Sequence, residues 1–529
     1  MRPPSPGSSS SILLETVDVM MQTAFSKTTP LSILFAASTL GLVLFASCGP
    51  RSVSSESPEK ITILQSSVSL GDPHIVSDST NRLSILFSVY EALVKRDSEG
   101  KYQPSLAESW VVGEDARRWI FNLRSGVKFH NGETLRAKDV VATLGRVLDP
   151  AIGGAFGTQG VYISYLGTAE ISTLDDLKVQ IVTEEPMADL LDLVVAMPIS
   201  PESELDKLPH EYVGSGPYKI VEQNDNRTIL AAHNDYWGKE PAHKKIHWLA
   251  ERDSVKRVDA LLRGEADVAS GIGIQGKERI TKDGGAGVHE LESGLCIIFM
   301  LNSQKGPCKD LRVRQALNYA LDVDKIIDEV KNGAATPLNG YLTPHHFGYN
   351  PETPVYPHDP QKARSLLADA GYSDGLSLVF DIPSVMPNEA PELTRMMVQQ
   401  YKEVGISVEV REHEDRPAYA EMVREKNIHD ACCFDSSPRS TYRVLREKIQ
   451  STLEGPWWQG YESQQVNTLI ERAQATVSDI ERQKIYQQIY SIIRDEAPWI
   501  FLYSPKNYWG VRSTMKDWKP RTDGLLLFF

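Results

Sequence analysis

Three clusters in this 529-residue chain carry side chains of types that do chemistry. The first is Gly271-Ile-Gly-Ile-Gln-Gly276-Lys277, which fits both GxGxxG and GxxxxGK. A phosphate loop needs a hydroxyl after the Lys to hold magnesium. Glu278 stands there, and its carboxylate repels phosphate. A dinucleotide loop needs a strand before it and a ribose-binding acid about 20 residues on. Glu290 and Glu292 lie near that distance, but no βαβ unit of the right length accompanies them. The segment is expected to be a glycine-rich surface turn. The second cluster is His345-His346, in the loop TPHHFGYN. Adjacent imidazoles ligate nickel or zinc, but a solvated or packed loop pair explains them equally, so no metal ligand is assigned. The third runs from Asp435 and Arg439 to Gly455-Pro-Trp-Trp-Gln-Gly-Tyr461. A buried carboxylate needs a partner charge, which a solute ammonium or Arg439 supplies. An Arg439 facing a cleft favours a carboxylate or phosphate. Trp457, Trp458 and Tyr461 suit either a pocket wall with a few polar anchors or a core.

No catalytic set orders itself along the chain. His289-Glu290 lacks the second His of HExxH, and Val213 and Pro217 flank Gly214-Ser215-Gly216 where GxSxG needs glycine. The chain is therefore expected to be no enzyme and to hold no cofactor. Its net charge of −14 and the lack of any long Lys/Arg run oppose nucleic-acid binding. The five cysteines (48, 296, 308, 432, 433) form no CxxC pair. A single disulfide between the 296/308 region and the 432/433 pair stays open, as do four buried thiols.

The elements that must position these residues begin after an address. Lys27, the uncharged run Leu31–Ser47 and the small residues Ala46 and Ser47 stand in signal-peptide order. The run is shorter than the roughly 20 residues a spanning helix needs. Met20 or Met21 is an alternative start. The Ala-Ser-Cys48 junction resembles a bacterial lipobox, with Phe45 where Leu is usual, which implies lipid on Cys48. Residues 48–60 are polar and read as a tether. From Ile61 the pattern is mixed α/β. Asp359-Pro360 caps and opens a helix that Gly371 stops. Pro391 opens another, Gly405 closes it, and 406–410 alternate as a strand. Ser478 and Glu481 suggest a capping box, and 218–232 a hairpin around Asn224-Asp-Asn226.

The run from Tyr90 to Pro150 is specific. Pro104-Ser-Leu-Ala-Glu-Ser-Trp110, Trp119-Ile-Phe-Asn-Leu-Arg124 and Gly126-Val-Lys-Phe-His-Asn-Gly132 resemble the family 5 extracellular solute-binding proteins of bacterial ABC importers. The likeness continues through Gly214–Tyr218, Asn234-Asp-Tyr-Trp-Gly238, Arg263–Asp267, Asp310–Leu317, Asp359–Tyr372 and Ala497-Pro-Trp499. It implies a two-lobed periplasmic-binding-protein fold of type II. Lobe 1 would use 61–90, 213–301 and 498–529, the inserted subdomain 91–212 and lobe 2 302–497. The hinge would lie near 301–303 and 497–499. The implied function is lobe closure on a small solute, peptide or else a metal complex, opine or sugar. Delivery is to an ABC permease, by a monomer anchored on the periplasmic side of the envelope. A ligand sensor with the same fold is the alternative. Trp110, Trp119, Phe121 and the motif glycines are expected to be scaffold. Peptide binders of the family hold the amino end with an Asp in a segment like Trp-x-Ala-Asp-Tyr-x-Asp-Pro. The resemblance carries that role to Asp435, although the spacing to Pro438 is one residue short and the second Asp is missing.

Overall fold

The computed structural model describes residues 59–75, 79–97, 100–152, 161–436 and 439–529. The signal-like run, Cys48 and nearly all of the tether lie outside the described residues. The tether ends one residue earlier than expected, because Lys60 already opens the first strand.

That strand, Lys60–Gln65, buries Ile61, Ile63 and Leu64. It pairs in parallel with Lys245–Ala250 on one side and Val268–Ser270 on the other. From Ile61 to Gln65 every residue is buried, the polar Thr62 and Gln65 included, as in a strand covered on both faces. The expected hairpin, Tyr218–Gln223 with Arg227–Ala232, extends the sheet at its edge. A second half of the sheet is built from Cys296–Leu301, Leu376–Pro383, Ile406–His413 and Ala431–Ser436.

One strand belongs to both halves. Trp499–Arg512 pairs with Cys296–Leu301 through its first residues. It then pairs with Ala335–Pro337 through Tyr503–Pro505. From Lys506 onward it pairs with Ala286–Glu292, and at Trp509–Val511 also with Val268–Ser270. The pairing therefore changes hands at Ser293–Leu295 and at Ser504–Lys506. The segments at 301–303 and 497–499 lie instead at the far end of the second half. The reason is local: Leu301 N–H donates to Pro498 O and Asn302 N–H to Asp430 O, which ties both to that half.

Between the first strand and the hairpin the chain builds a separate antiparallel sheet, in the order Ala107–Val112, Arg118–Leu123, Lys178–Val182, Glu170–Asp175. Trp119 and Phe121 point inward at strand spacing and meet Val140, Leu144 and Ile181 in their own core. The helix Ala137–Val147 covers it. Gly126 and Gly132 take φ of 77° and 89° at the turns beside this sheet, as glycine allows.

The Asp359 cap is as expected, and of the Ser478/Glu481 capping box the Ser478 half is present. Asp359 accepts from Lys362 N–H before Pro360–Asp369, and Ser478 accepts from Glu481 N–H before Asp479–Glu496. The glycine-rich Gly271–Lys277 segment differs. It is the first turn of a helix, Gly273–Asp283, and Lys277 forms an ion pair with Glu290 at 2.6 Å. Cys296, Cys308, Cys432 and Cys433 are buried free thiols. Among the described residues no helix is long and apolar enough to cross a membrane.

The shared strand packs closely at Gly510. A Cβ there would fall 2.7 Å from Ile280 Cδ1 and nearer still to Leu261 Cδ2. Gly510→Val should lower unfolding free energy by about 2–3 kcal/mol through overpacking. Urea denaturation measures it; an unchanged midpoint would show that the neighbouring helices yield freely.

Candidate functional site

A cavity of about 670 Å³ lies where the two halves of the large sheet and the inserted sheet meet. Its first wall comes from the loop at Pro73 and Ile75, the helix Thr80–Val89 and the tail from Arg521 to Phe529. The inserted part adds Lys95, Arg96, Ser105, Arg124 and Asp192. The second half of the sheet contributes Pro344, His345, Arg439, Ser440 and Arg443. The volume suits a solute of peptide size.

Glu91 is a largely buried acid of the wall. Its carboxylate accepts from Trp237 Nε1 at 2.6 Å, Tyr236 OH at 3.0 Å and Ser215 Oγ at 3.0 Å. Burial pushes its carboxyl up to about 6, against those three bonds, which hold it down. Arg124 stacks 4.8 Å over the Trp237 ring while its Nε donates to Ser105 O. Asp523 is gripped by Arg521 and lies 3.5 Å from Arg439. Burial alone would raise the Asp523 carboxyl, but the bonds and charge of Arg521, and the charge of Arg439, bring it below its usual value. Arg443 Nε donates to Glu447 Oε1 at 3.1 Å, and the Tyr165 hydroxyl of the inserted part donates to the same oxygen.

A second contact closes the outer edge between the inserted part and the second half. Asp189 is fully buried there. It accepts from Tyr486 OH at 2.6 Å and sits 3.2 Å from Arg482 Nε. Ala188 N–H donates to Gln474 O beside it at 2.8 Å.

The predicted contacts separate. Arg439 and the cavity are together. Asp435 lies on the strand Ala431–Ser436, 4.0 Å from Arg416, and is not on the cavity wall. Trp457, Trp458 and Tyr461 are buried away from it. The Trp457 ring packs 5.0 Å from Phe434, Trp458 Nε1 donates to Tyr461 O, and Tyr461 OH donates to Glu496. The strand ends before the chain turns to the cavity, so Arg439 reaches it and Asp435 does not. His345 lines the cavity and bonds Glu292 O, whereas His346 is buried against Thr343. No group of three or more metal-ligating side chains occurs among the described residues.

Several wall residues come from motifs expected to be scaffold. Trp119 and Phe121 are indeed core. Glu91, Ser105, Arg124, Tyr236 and Trp237, from the same motifs, face the cavity. Their signal was a charge or hydrogen-bonding group inside an otherwise apolar motif. Arg443 and Arg521 carried no signal of their own.

Two half-sheets joined by a shared strand around a solute-sized cavity define a two-lobed binding protein. The chain belongs to the bacterial extracellular solute-binding proteins, family 5, which it matches over residues 101–439. It is 27% identical to heme-binding protein A of Haemophilus influenzae, over 81% of this chain and 84% of that one. It is 26% identical to the dipeptide-binding protein of Escherichia coli, over 84% and 89%. The fold is that of the HbpA2 structure from Haemophilus parasuis, with a TM-score of 0.77, 23% identity and coverage of 89% and 99%. It is likewise that of the periplasmic binding protein DppA from Helicobacter pylori with the peptide STSA, with a TM-score of 0.72, 23% identity and coverage of 90% and 99%.

Glu91 gives a pH test. Burial raises its folded carboxyl from the ordinary 4.5 to about 6, so the folded state holds that proton more tightly than the unfolded chain. Its contribution therefore falls as pH rises from 4.5 to about 6, by about 2 kcal/mol. The difference in unfolding free energy between wild type and Glu91→Gln should change by that amount across the window. A pH-independent difference would contradict the burial argument.

Proposed function

We propose that the chain captures a small organic solute, a peptide in the first instance, in the cavity between its lobes and hands it to an ABC importer. The observation carrying this reading is that all three parts of the protein furnish one cavity wall. A solute there touches both lobes at once and so binds the closed form better than any open one. That differential affinity is what drives closure. The permease then reads the closed surface. Relatives named for dipeptides and for glutathione support the peptide class. The structure titled as a complex of AgaA with agropinic acid marks the alternative of a non-peptide solute.

In this reading the chain is no enzyme. The proposed parts are lobe 1 from 61–90, 213–301 and 498–529, an inserted subdomain from 91–212 and lobe 2 from 302–497; the pairing of Cys296–Leu301 and Trp499–Pro505 with the second half-sheet supports moving those two strands to lobe 2. The chain works as a monomer on the periplasmic side of the envelope, held by lipid on Cys48. The order of charge, apolar run, small residues and cysteine supports the anchor.

Arg439 is the solute contact that cavity and sequence share, so it separates the two anchors proposed. Titration of intrinsic Trp fluorescence with a peptide bound by wild type should show Arg439→Ala weakened by about tenfold or more, one charged hydrogen bond's worth. Asp435→Ala should bind as wild type does; the reverse order would restore Asp435 as the anchor. Cys48→Ser should abolish incorporation of labelled palmitate and release the protein from membranes. Retention with label elsewhere would remove Cys48 as the anchor.

A further inference from the structure

The helix Thr80–Val89 is apolar on two sides. Among the described residues, Ile85, Leu86 and Val89 enter the core of the first half of the sheet, whereas Leu83 and Phe87 belong to none of the hydrophobic cores. Those two stand four residues apart, on one face of the helix, and both line the cavity. The tail repeats this division with a period of two. Leu526 and Phe528 enter the same core, while Leu525, Leu527 and Phe529 line the cavity. Leu526 N–H donates to Ser84 Oγ at 3.0 Å, which docks the tail on the helix, and Trp518 Nε1 donates to Leu527 O at 2.8 Å. The Trp518 ring stacks on Phe528 with centroids 4.7 Å apart. Two neighbouring elements, each fixed in place, thus turn a second apolar face into the space between the lobes. A helix with a single buried side would show polar residues there.

Most ionic groups of the same wall are bonded to one another or to the backbone. Arg82 donates to the carbonyls of Leu70 and Asp72. Arg96 pairs with Asp192 at 2.6 Å, and Arg443 with Glu447 at 3.1 Å. Arg521 grips Asp523, which Arg439 approaches to 3.5 Å. Glu91 accepts from three neutral donors. Charge is therefore largely matched within the wall itself. The apolar face of the helix and tail is matched by no core, and a solute is what can cover it. A polar group set against that face loses its water and gains no hydrogen bond, which is unfavourable. An apolar group set there removes two water-exposed surfaces at once, which is favourable.

We infer that the first-lobe wall of the cavity is a subsite for an apolar side chain, and that the solute is a hydrophobic peptide. A side chain of leucine or phenylalanine size would lie against Leu83, Phe87, Leu525, Leu527 and Phe529. This deepens the solute-binding reading and rests on it. The peptide's backbone then faces the inserted part and the second lobe, where Ser105, Arg124 and Ser440 offer hydrogen-bonding groups. Closure strips water from the side chain and from the wall together. Affinity for the closed form accordingly grows with the apolar area that the side chain covers. Polar and charged side chains are rejected by the same wall, because nothing there replaces their hydration.

The test compares peptides of one length on the wild-type protein, read by calorimetry and by Trp fluorescence. The probes are trileucine, trialanine, triserine, triglutamate and trilysine. Trileucine should bind at least about tenfold tighter than each of the others. Its binding should carry a more negative heat-capacity change than that of trialanine and depend little on sodium chloride. Phe87→Ala and Leu527→Ala should each lower the affinity ratio of trileucine to trialanine by about threefold or more. Val111→Ala, at an exposed position of the inserted sheet, should leave that ratio as it is in wild type. The two wall variants lie on different elements, so misfolding of one, read from its unfolding midpoint, leaves the other decisive. Binding of trialanine, triserine or a charged peptide as tight as that of trileucine would overturn the apolar subsite and leave solute binding intact. So would an unchanged ratio in the folded wall variants. No binding by any of the five would count against both readings.

Discussion

Everything in this molecule depends on one strand having two sets of partners. Trp499–Arg512 donates and accepts along its first residues in one lobe and along its last in the other. A strand ladder resists stretching but yields to twist where its partner changes. The ladder changes partners at Ser293–Leu295 and Ser504–Lys506, so a twist between the two half-sheets there would break the fewest ladder bonds. Ser504 Oγ donates to Ser293 O there at 2.8 Å, joining the two crossings to each other. The cavity has walls from both half-sheets, so a small rotation at the strand would change the gap between them.

The polar contacts beyond the cavity bear on how that rotation stops. Asp189 with Arg482 and Tyr486, and Glu447 with Tyr165, bring the inserted part against the second lobe through buried, directional bonds. Such groups give back in attraction about what they lose in hydration. Their effect is on register more than on strength. Arg443 belongs to both the cavity wall and the Glu447 contact, so it joins the two.

The sequence disclosed the fold through local chemistry. Asp359-Pro360, Ser478, Gly405 and the alternation of Trp119 and Phe121 each specify a structure within a few residues, and each was readable. The family motifs added the order of the parts. What could not be read was any position that depends on contacts far apart in the chain. Asp435 and Arg439 lie four residues apart, yet one faces Arg416 and the other the cavity, because the strand ends between them. Trp457 and Trp458 satisfy core and pocket patterns alike, and only the packing of Trp457 on Phe434 and the bond from Trp458 to Tyr461 O decide. The cavity wall was invisible for the same reason: Lys95, Arg124, Arg443 and Arg521 are scattered singly along the chain, and folding alone gathers them.

The four buried thiols have a consequence of their own. None is bonded to another, and burial pushes all four well above the usual thiol range. No disulfide joins these four, so each packs as a small buried group. Cys432 and Cys433 sit in the strand that lies against Cys296–Leu301, at the centre of the second lobe. An alkylating or oxidising reagent reaches them only when that sheet comes apart. They are a built-in clock for global unfolding, silent to the opening and closing by which the lobes take up solute.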